Sequence, residues 1–357
     1  MDDNFGWKTV YIATVFSLVV LGFAYWLISP RDANYFSEEK IDKIAEFTKT
    51  SIAGRKDGKK SWEFYARSGW ASKSKNITYL YNVTKGTIFK DGKPFVSALA
   101  APTVEVYRQA ERIEARSIKA RLDIGRVTAD RAVINIKAKT VHLYGHPLIT
   151  RPDRTISADE FEYLSNDERF NAAGRVAMKI KENNIVTRVN CEQAVFFTDQ
   201  GKEITLRGSV EALQGKKAAI ARHGVYSKQA NGLRLSGETR TIMEKAGAFI
   251  KPETLKQLTD PEEKALLRQK TVIAADEIFF STKSGDAQAS GSVEVTQKGR
   301  VARSARAVYN DRDESITLTG NVYLKKGEEW ISCREVIVSV KDETFEAIGV
   351  TEARFKI

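Results

Sequence analysis

Histidines and paired carboxylates are the residues of this sequence whose types could support catalysis or metal binding. His142, His146 and His223 are its only histidines, and each stands at a strand end where Asn or Gln would serve equally, so we expect no such role. Acidic pairs occur at Asp159-Glu160 and Asp276-Glu277. They recur at one position of the repeat described below, which indicates a strand-edge feature rather than a general acid and base. With no nucleophile, metal cluster or phosphate loop in view, we expect no enzyme and no cofactor.

The two cysteines, Cys191 and Cys333, do not form a CxxC motif. In the repeat they take the place of Ala158, Ala275 and Ala305, so we predict small buried residues. They are several repeats apart, which places them beyond the reach of a disulfide bond.

An internal repeat organises most of the chain. Seven segments share an apolar-x-Gly core, and their glycines are 29, 34, 29, 54, 29 and 29 residues apart. One insertion of about 25 residues explains the long interval. The glycines are Gly145, Gly174, Gly208, Gly237, Gly291, Gly320 and Gly349.

Each repeat predicts two strands and two turns. In residues 204–212 apolar and polar side chains alternate, which is typical of a strand with one buried face. The preceding strand opens with a small residue and ends with aromatic ones, as in 191–197 (CEQAVFF) and 275–281 (ADEIFFS). A unit with one apolar face must stack on its neighbours, so we predict an elongated, repeat-built, all-β jellyroll or open sandwich.

An uncharged stretch of 19 residues, Val10–Ile28, lies near the start of the sequence. It is long enough to span a bilayer, and aromatic residues stand near both ends. A cleaved signal peptide is the alternative, but the exit at Ser29-Pro30 is a poor cleavage site. We therefore predict a transmembrane anchor over 1–30, a linker helix over 31–54 from the spacing in Ser37–Lys49, and residues 31–357 on the far side of the membrane.

The remaining boundaries follow from the repeat. We predict a β-jellyroll over 55–242, a helical or loop insertion over 243–270 and a continuation of the jellyroll over 271–357. The insertion could be a lid, a junction or a surface excursion.

The net charge of +11 is spread thinly along the chain. It fits either a solubilising surface or an anionic partner, and without a dense basic helix or an RNA-binding signature we expect no nucleic acid. Cations at the turns are candidates for phosphate contact: Lys216, Lys217, Lys298, Arg300, Lys325 and Lys326.

Inward-facing residues of the glycine strands could line a lipid groove or fill a dry core. Many inward positions hold small residues, which predicts an interior that is not filled at normal packing density. The candidate lipid-binding residues are Val141, Leu143, Val176, Met178, Ile180, Leu206, Val210, Leu235, Val293, Val295, Leu318, Val322 and Leu324.

The repeat itself, as in ADEIFF…ASGSVEVTQ (275–297) and ARAVYN…TLTGNVYL (305–324), resembles that of the lipopolysaccharide-export bridge family. One transmembrane helix followed by such a domain is similar to LptC, and the regular units after about residue 120 are similar to the LptA or OstA-like domain. The resemblance implies a β-jellyroll in the periplasm, anchored in the inner membrane by a single pass. Its implied role is to accept lipopolysaccharide from an inner-membrane ABC transporter and pass it toward the outer membrane.

The ends of an open sandwich leave backbone groups unpaired, which invites strand addition. We predict that Thr344–Phe355 pairs with another β-jellyroll bridge protein and that the strands around Trp62–Ala66 meet a membrane complex. The alternative to transport is an envelope scaffold with a dry core and only protein partners.

Overall fold

The computed structural model describes residues 43–355 apart from 75, 200, 216, 244–269 and 340–343. In that part of the chain every helix or strand assigned is a strand, which confirms the all-β prediction. The strands are β1 (Lys43–Lys56), β2 (Lys59–Ser72), β3 (Ile77–Lys90), β4 (Lys93–Tyr107), β5 (Arg112–Leu122), β6 (Gly125–Asn135), β7 (Thr140–Tyr144), β8 (Leu148–Thr150), β9 (Arg154–Ser157), β10 (Glu160–Leu164), β11 (Arg169–Glu182), β12 (Ile185–Phe197), β13 (Ile204–Gln214), β14 (Lys217–Ser227), β15 (Gly232–Met243), β16 (Thr271–Ser281), β17 (Ala287–Gln297), β18 (Arg300–Asn310), β19 (Ser315–Lys326), β20 (Glu329–Ser339) and β21 (Thr344–Arg354).

Each strand pairs antiparallel with the strand that follows it in the chain, from β1 to β6 and from β10 to β21. Between these runs, two short strands replace one long one. β7 and β8 both pair with β6, and β9 and β10 both pair with β11. The result is one continuous sheet that grows along the chain, with β1 and β21 at its two edges.

The repeat glycines mark a bend in every second strand. In β19, Thr319 pairs with Glu335 and Val322 with Cys333, so two residues are left opposite one. Those two, Gly320 and Asn321, have φ angles of 84° and 50°. Such a bulge bends a strand and needs residues that tolerate the left-handed region, which explains glycine followed by asparagine.

Bending at these bulges makes the two halves of one strand face each other. Ala289 and Val295, from the two halves of β17, border the same interior space, and so do Leu318 and Leu324 of β19. The two layers predicted for an open sandwich therefore exist. Each long strand contributes one half to each layer, whereas the sequence predicted that the two strands of a repeat would lie in different layers. The glycines lie at the bends, between the two inward-facing halves of each strand.

The segment Lys43–Lys56 is a strand, so the predicted linker helix is wrong over residues 43–54. Lys49 has a φ of 47°, but the pairing register continues across it, because Thr48 pairs with Ser68 and Thr50 with Ala66. The residues whose spacing resembled a helix, Ile44, Ala45 and Thr48, are exposed on this strand, so their spacing does not mark a buried face. The rest of that prediction, 31–42, lies outside the described residues.

The insertion does not interrupt the sheet, because β15 pairs with β16 from Gly232–Ser281 to Met243–Thr271. The fold of the predicted insertion itself lies outside the described residues, as does the predicted membrane-spanning segment at 10–28. Among the residues that are described, no helix is long and apolar enough to cross a bilayer.

Candidate functional site

The interior is a tightly filled core over most of its length. Eight of the predicted lipid-binding residues lie in this part, each no more than 3% exposed. They belong to one apolar cluster that runs continuously from Trp62 to Val293. The eight are Val141, Leu143, Val176, Met178, Ile180, Leu206, Val210 and Leu235.

Aromatic rings fill the middle of this core. The ring of Phe170 stacks on Tyr163 at 4.2 Å and on Phe196 at 5.2 Å, and Phe161 meets Phe196 edge-on at 6.0 Å. These four side chains are each at most 2% exposed. Because offset and edge-to-face pairs pack at these distances, the rings leave no room for an acyl chain between them.

A line of polar contacts, which we call the seam, closes the side of the folded sheet. The strand ends and turns form two opposite borders of the sheet. Each contact joins a residue at one border to a residue at the other border, several strands away along the chain. Six of them are Lys56 Nζ–Glu111 Oε1 (2.7 Å), Lys139 Nζ–Asp91 Oδ2 (3.0 Å), Lys228 Nζ–Asp153 Oδ2 (3.3 Å), Thr282 Oγ1–Glu182 Oε2 (2.7 Å), Gln214 Nε2–Ser281 O (2.8 Å) and Lys217 Nζ–Asp311 Oδ1 (2.6 Å).

Near the C-terminal edge the interior is not filled. A cavity of about 660 Å³ lies between the two halves of β16 to β21. Its wall is mostly apolar, with Trp330 on β20 as its largest side chain. Phe345 and Phe355 also border it, and they are 58% and 65% exposed, so the cavity opens to solvent at the last strand.

The remaining predicted lipid-binding residues lie in this region. Val295, Leu318 and Leu324 border the cavity. Val293 and Val322 lie beside it and are 2% and 0% exposed. The thirteen predicted residues are therefore inward-facing or partly buried, but the structure places only three of them against open space.

Two types of side chain at the cavity were missed from the sequence. The first type is the small residue on a strand that precedes a glycine-containing strand. Ala302 and Ala307 of β18 are examples, and their short side chains leave much of the cavity open. The aromatic residues Trp330, Phe345 and Phe355 come from the last two strands and the residue that follows them, and they were not assigned to the interior from the sequence. The alanines could have been predicted from the sequence, because each of these preceding strands opens with a small residue and ends with aromatic ones.

The cations predicted at the turns fall into two groups. Arg300, Lys325 and Lys326 border the cavity, and Lys298 is exposed on the same border of the sheet. Lys217 differs, because it is only 7% exposed and donates to Gly285 O at 2.5 Å as well as to Asp311. Lys216 lies outside the described residues.

Cys191 and Cys333 are buried free thiols on β12 and β20, eight strands apart. Cys191 pairs with Val176 and Cys333 with Val322, so both stand opposite the end of a bulge, where Ser304 also stands opposite Val293. The sequence had assigned this position to Ala305, one residue too late, and Ala305 is exposed. Burial raises the pKa of the Cys191 thiol to about 11, which keeps it protonated and unreactive at neutral pH.

The carboxylates and histidines do not form a catalytic arrangement. Asp159 accepts hydrogen bonds from Arg175, the residue after the bulge glycine, at 2.8 to 3.1 Å, and this pairing lowers the pKa of the carboxyl group. His146 Nδ1 lies 3.5 Å from the same carboxylate on an exposed surface. Within the described ranges no group of three or more His, Cys, Asp or Glu side chains could hold a metal ion.

Comparison with known proteins finds a family model that matches less than half of the chain. Residues 189–344 match the family model described as LptA/(LptD N-terminal domain) LPS transport protein, so this part carries the bridge-family repeat that the sequence indicated. Among solved structures, the chain is similar to the crystal structure of LptH, the LptA-homologous periplasmic component of the lipopolysaccharide transport device from Pseudomonas aeruginosa. The identity is 18%, the match covers 31% of this chain and 81% of that chain, and the TM-score is 0.29. No curated protein matches the chain.

Proposed function

We propose that this protein is a non-enzymatic bridge that carries lipopolysaccharide across the periplasm. The observation that carries the proposal is an apolar cavity whose lining, apart from Phe345 and Phe355, lies within the residues that match the lipopolysaccharide-transport family. Acyl chains gain about 0.8 kcal/mol for each buried methylene, so a cavity that admits part of a chain can retain the lipid.

The arrangement of charge around the cavity supports an anionic amphiphile. The apolar wall lies inside, and Arg300, Lys325 and Lys326 stand on its border. Acyl chains in the cavity would leave phosphate groups of the lipid near these cations, where ion pairs and hydrogen bonds form.

The route before and after the cavity is part of the same proposal. The segment 10–28 anchors the protein in the inner membrane, and an ABC transporter there delivers the lipid. Strand β21 passes it on by pairing with another β-jellyroll protein. The edge position of β21 and the exposed side chains of Phe345, Val350 and Phe355 support this step.

Photocrosslinking separates transport from a scaffold with a dry core. A diazirine amino acid at Leu318, which borders the cavity, should crosslink to fluorescently labelled lipopolysaccharide. The same amino acid at Asn321, three residues away on β19 and exposed, should not. Equal labelling at both positions, or no lipid adduct at Leu318, would contradict the proposal and favour the scaffold.

A further inference from the structure

The interior consists of two compartments, a filled core and a cavity, and one residue marks the boundary between them. Among the described residues, those that border the cavity lie between 241 and 355, apart from Lys217 at the start of β14. The side chains next along the interior, Leu233 and Leu235 on β15, are 0% exposed. Lys217 is thus the deep end of the cavity.

Lys217 is held there by three contacts from the opposite border of the sheet. Its Nζ donates to Asp311 Oδ1 at 2.6 Å and to Gly285 O at 2.5 Å, and it lies 4.6 Å from the centre of the Tyr309 ring. These groups belong to the turns after β16 and β18 and to the end of β18. One buried ammonium group therefore ties two turns to the start of β14.

Among the six seam contacts given above, this one joins the residues furthest along the chain. The seam contacts Gln214–Ser281 and Glu182–Thr282 come before it, where the core is filled. A charged group that is buried and fully paired is costly to displace, because removing it from its partners leaves charge without solvent. An acyl chain would have to displace this group to go deeper.

We propose that Lys217 is a specificity-determining residue that confines lipid to the C-terminal cavity and excludes it from the filled core. This inference rests on the proposed function, since it specifies where the lipid lies. It implies that the resting protein holds acyl chains only between β16 and β21. Movement of lipid through the rest of the interior then requires the seam to open, beginning at Lys217.

The test compares two crosslinking positions in the full-length protein. The diazirine amino acid stands at Leu318, inside the cavity, or at Leu235, just beyond Lys217. With native Lys217, labelled lipopolysaccharide should crosslink at 318 and not at 235. In a Lys217→Met variant the yield at 235 should rise by about tenfold, the shift expected when a buried charge-assisted hydrogen bond no longer favours the closed state.

Two further variants serve as controls. Lys181→Met removes the same charge from an exposed position on the same border, away from the cavity, and should leave the yield at 235 unchanged. Asp311→Asn keeps Lys217 but weakens its ion pair, and it should raise the yield at 235 by less than Lys217→Met does. If Lys217→Met fails to fold, as judged by circular dichroism, Asp311→Asn still decides the question.

The outcomes distinguish this inference from the proposed function. Adducts at both 318 and 235 with native Lys217 would overturn the boundary but retain lipid transport. Adducts at 318 alone in native protein and in both variants would show that Lys217 does not set the boundary. No adduct at either position in any variant would overturn the proposed function itself.

Discussion

At the scale of single residues, inward-facing leucines do two different things. Leu206 is 0% exposed and is surrounded by the filled core, whereas Leu318 is 6% exposed and borders the cavity. The same side chain therefore has packing partners on every side in one place and open space on one side in the other. The consequence is a difference in stability that can be measured.

Leu206→Ala should destabilise the protein by about 2–5 kcal/mol, because it removes contacts and leaves an enclosed void. Leu318→Ala should cost only about 1–2 kcal/mol, because it enlarges a space that already exists. Urea unfolding followed by tryptophan fluorescence would measure both, and lipid binding should weaken only in Leu318→Ala. Equal losses of stability would show that the cavity wall is packed as tightly as the core.

Sequence periodicity identifies which side chains face inward, since a strand must present alternate residues to one side. It cannot tell a core residue from a cavity residue. That difference depends on what stands on the opposite layer, and the opposite layer is set by how each strand bends and by how many strands follow. Leu206 and Leu318 occupy equivalent repeat positions, yet only Leu318 is close enough to the last strand to face open space.

At the scale of elements, the bulge glycine is the feature that folds the sheet. The φ angle of Gly320 is +84°. A Cβ added there would lie 2.7 Å from the Cβ of Ala305 on the neighbouring strand. Gly327, in the next turn of the same chain segment, has φ +62° and nothing within 4 Å. A side chain at Gly327 would therefore introduce backbone strain alone, whereas a side chain at Gly320 would introduce both backbone strain and a steric conflict.

Gly320→Ala should cost about 2–4 kcal/mol, the sum of left-handed backbone strain and an overpacked contact. Gly327→Ala should cost about 1–2 kcal/mol from strain alone. Chemical denaturation of both variants gives the comparison. A loss at Gly320 no larger than that at Gly327 would mean that the bend does not depend on close approach of the two strands.

The repeat spacing is sufficient to locate these glycines on every second strand. It does not reveal their role, because an apolar-x-Gly-x-Val pattern looks like unbroken alternation. The extra residue of the bulge shifts the register, so Gly320 lies at the bend while Leu318 and Val322 both stay inside. β1 was missed for a different reason, because Ile44, Ala45 and Thr48 stand at helical spacing on a strand where all three are exposed.

At the scale of the whole molecule, the described part of the sheet ends at β1 and β21, and β21 carries the more exposed apolar side chains. Val350 is 50% exposed on this strand. Lysine on an edge strand opposes pairing with another strand. Val350→Lys should therefore lower crosslinking from position 348 to a periplasmic β-jellyroll partner in intact cells by about tenfold, as expected when strand addition is disfavoured.

Ile220→Lys is the matched control, since Ile220 is 44% exposed but lies on β14, inside the sheet. It adds the same charge away from an edge and should leave the crosslink unchanged. A partner crosslink that Val350→Lys does not reduce would place the contact on another surface. The C-terminal edge was predicted from the sequence, but the N-terminal edge was not, because Trp62–Ala66 lies on β2, between β1 and β3. The closure of the side was not predicted either, because the seam joins residues as far apart as Lys217 and Asp311.

Since β12 to β20 each pair only with the strands before and after them in the chain, this part of the sheet has no strand that must be in place before a distant one can join. Growth by duplication of a hairpin would lengthen the body without rebuilding what is already there, and loss of a hairpin would shorten it. The distance that such a protein spans can therefore be adjusted in steps of two strands, and its C-terminal strands can peel away one at a time under load while the rest stays folded.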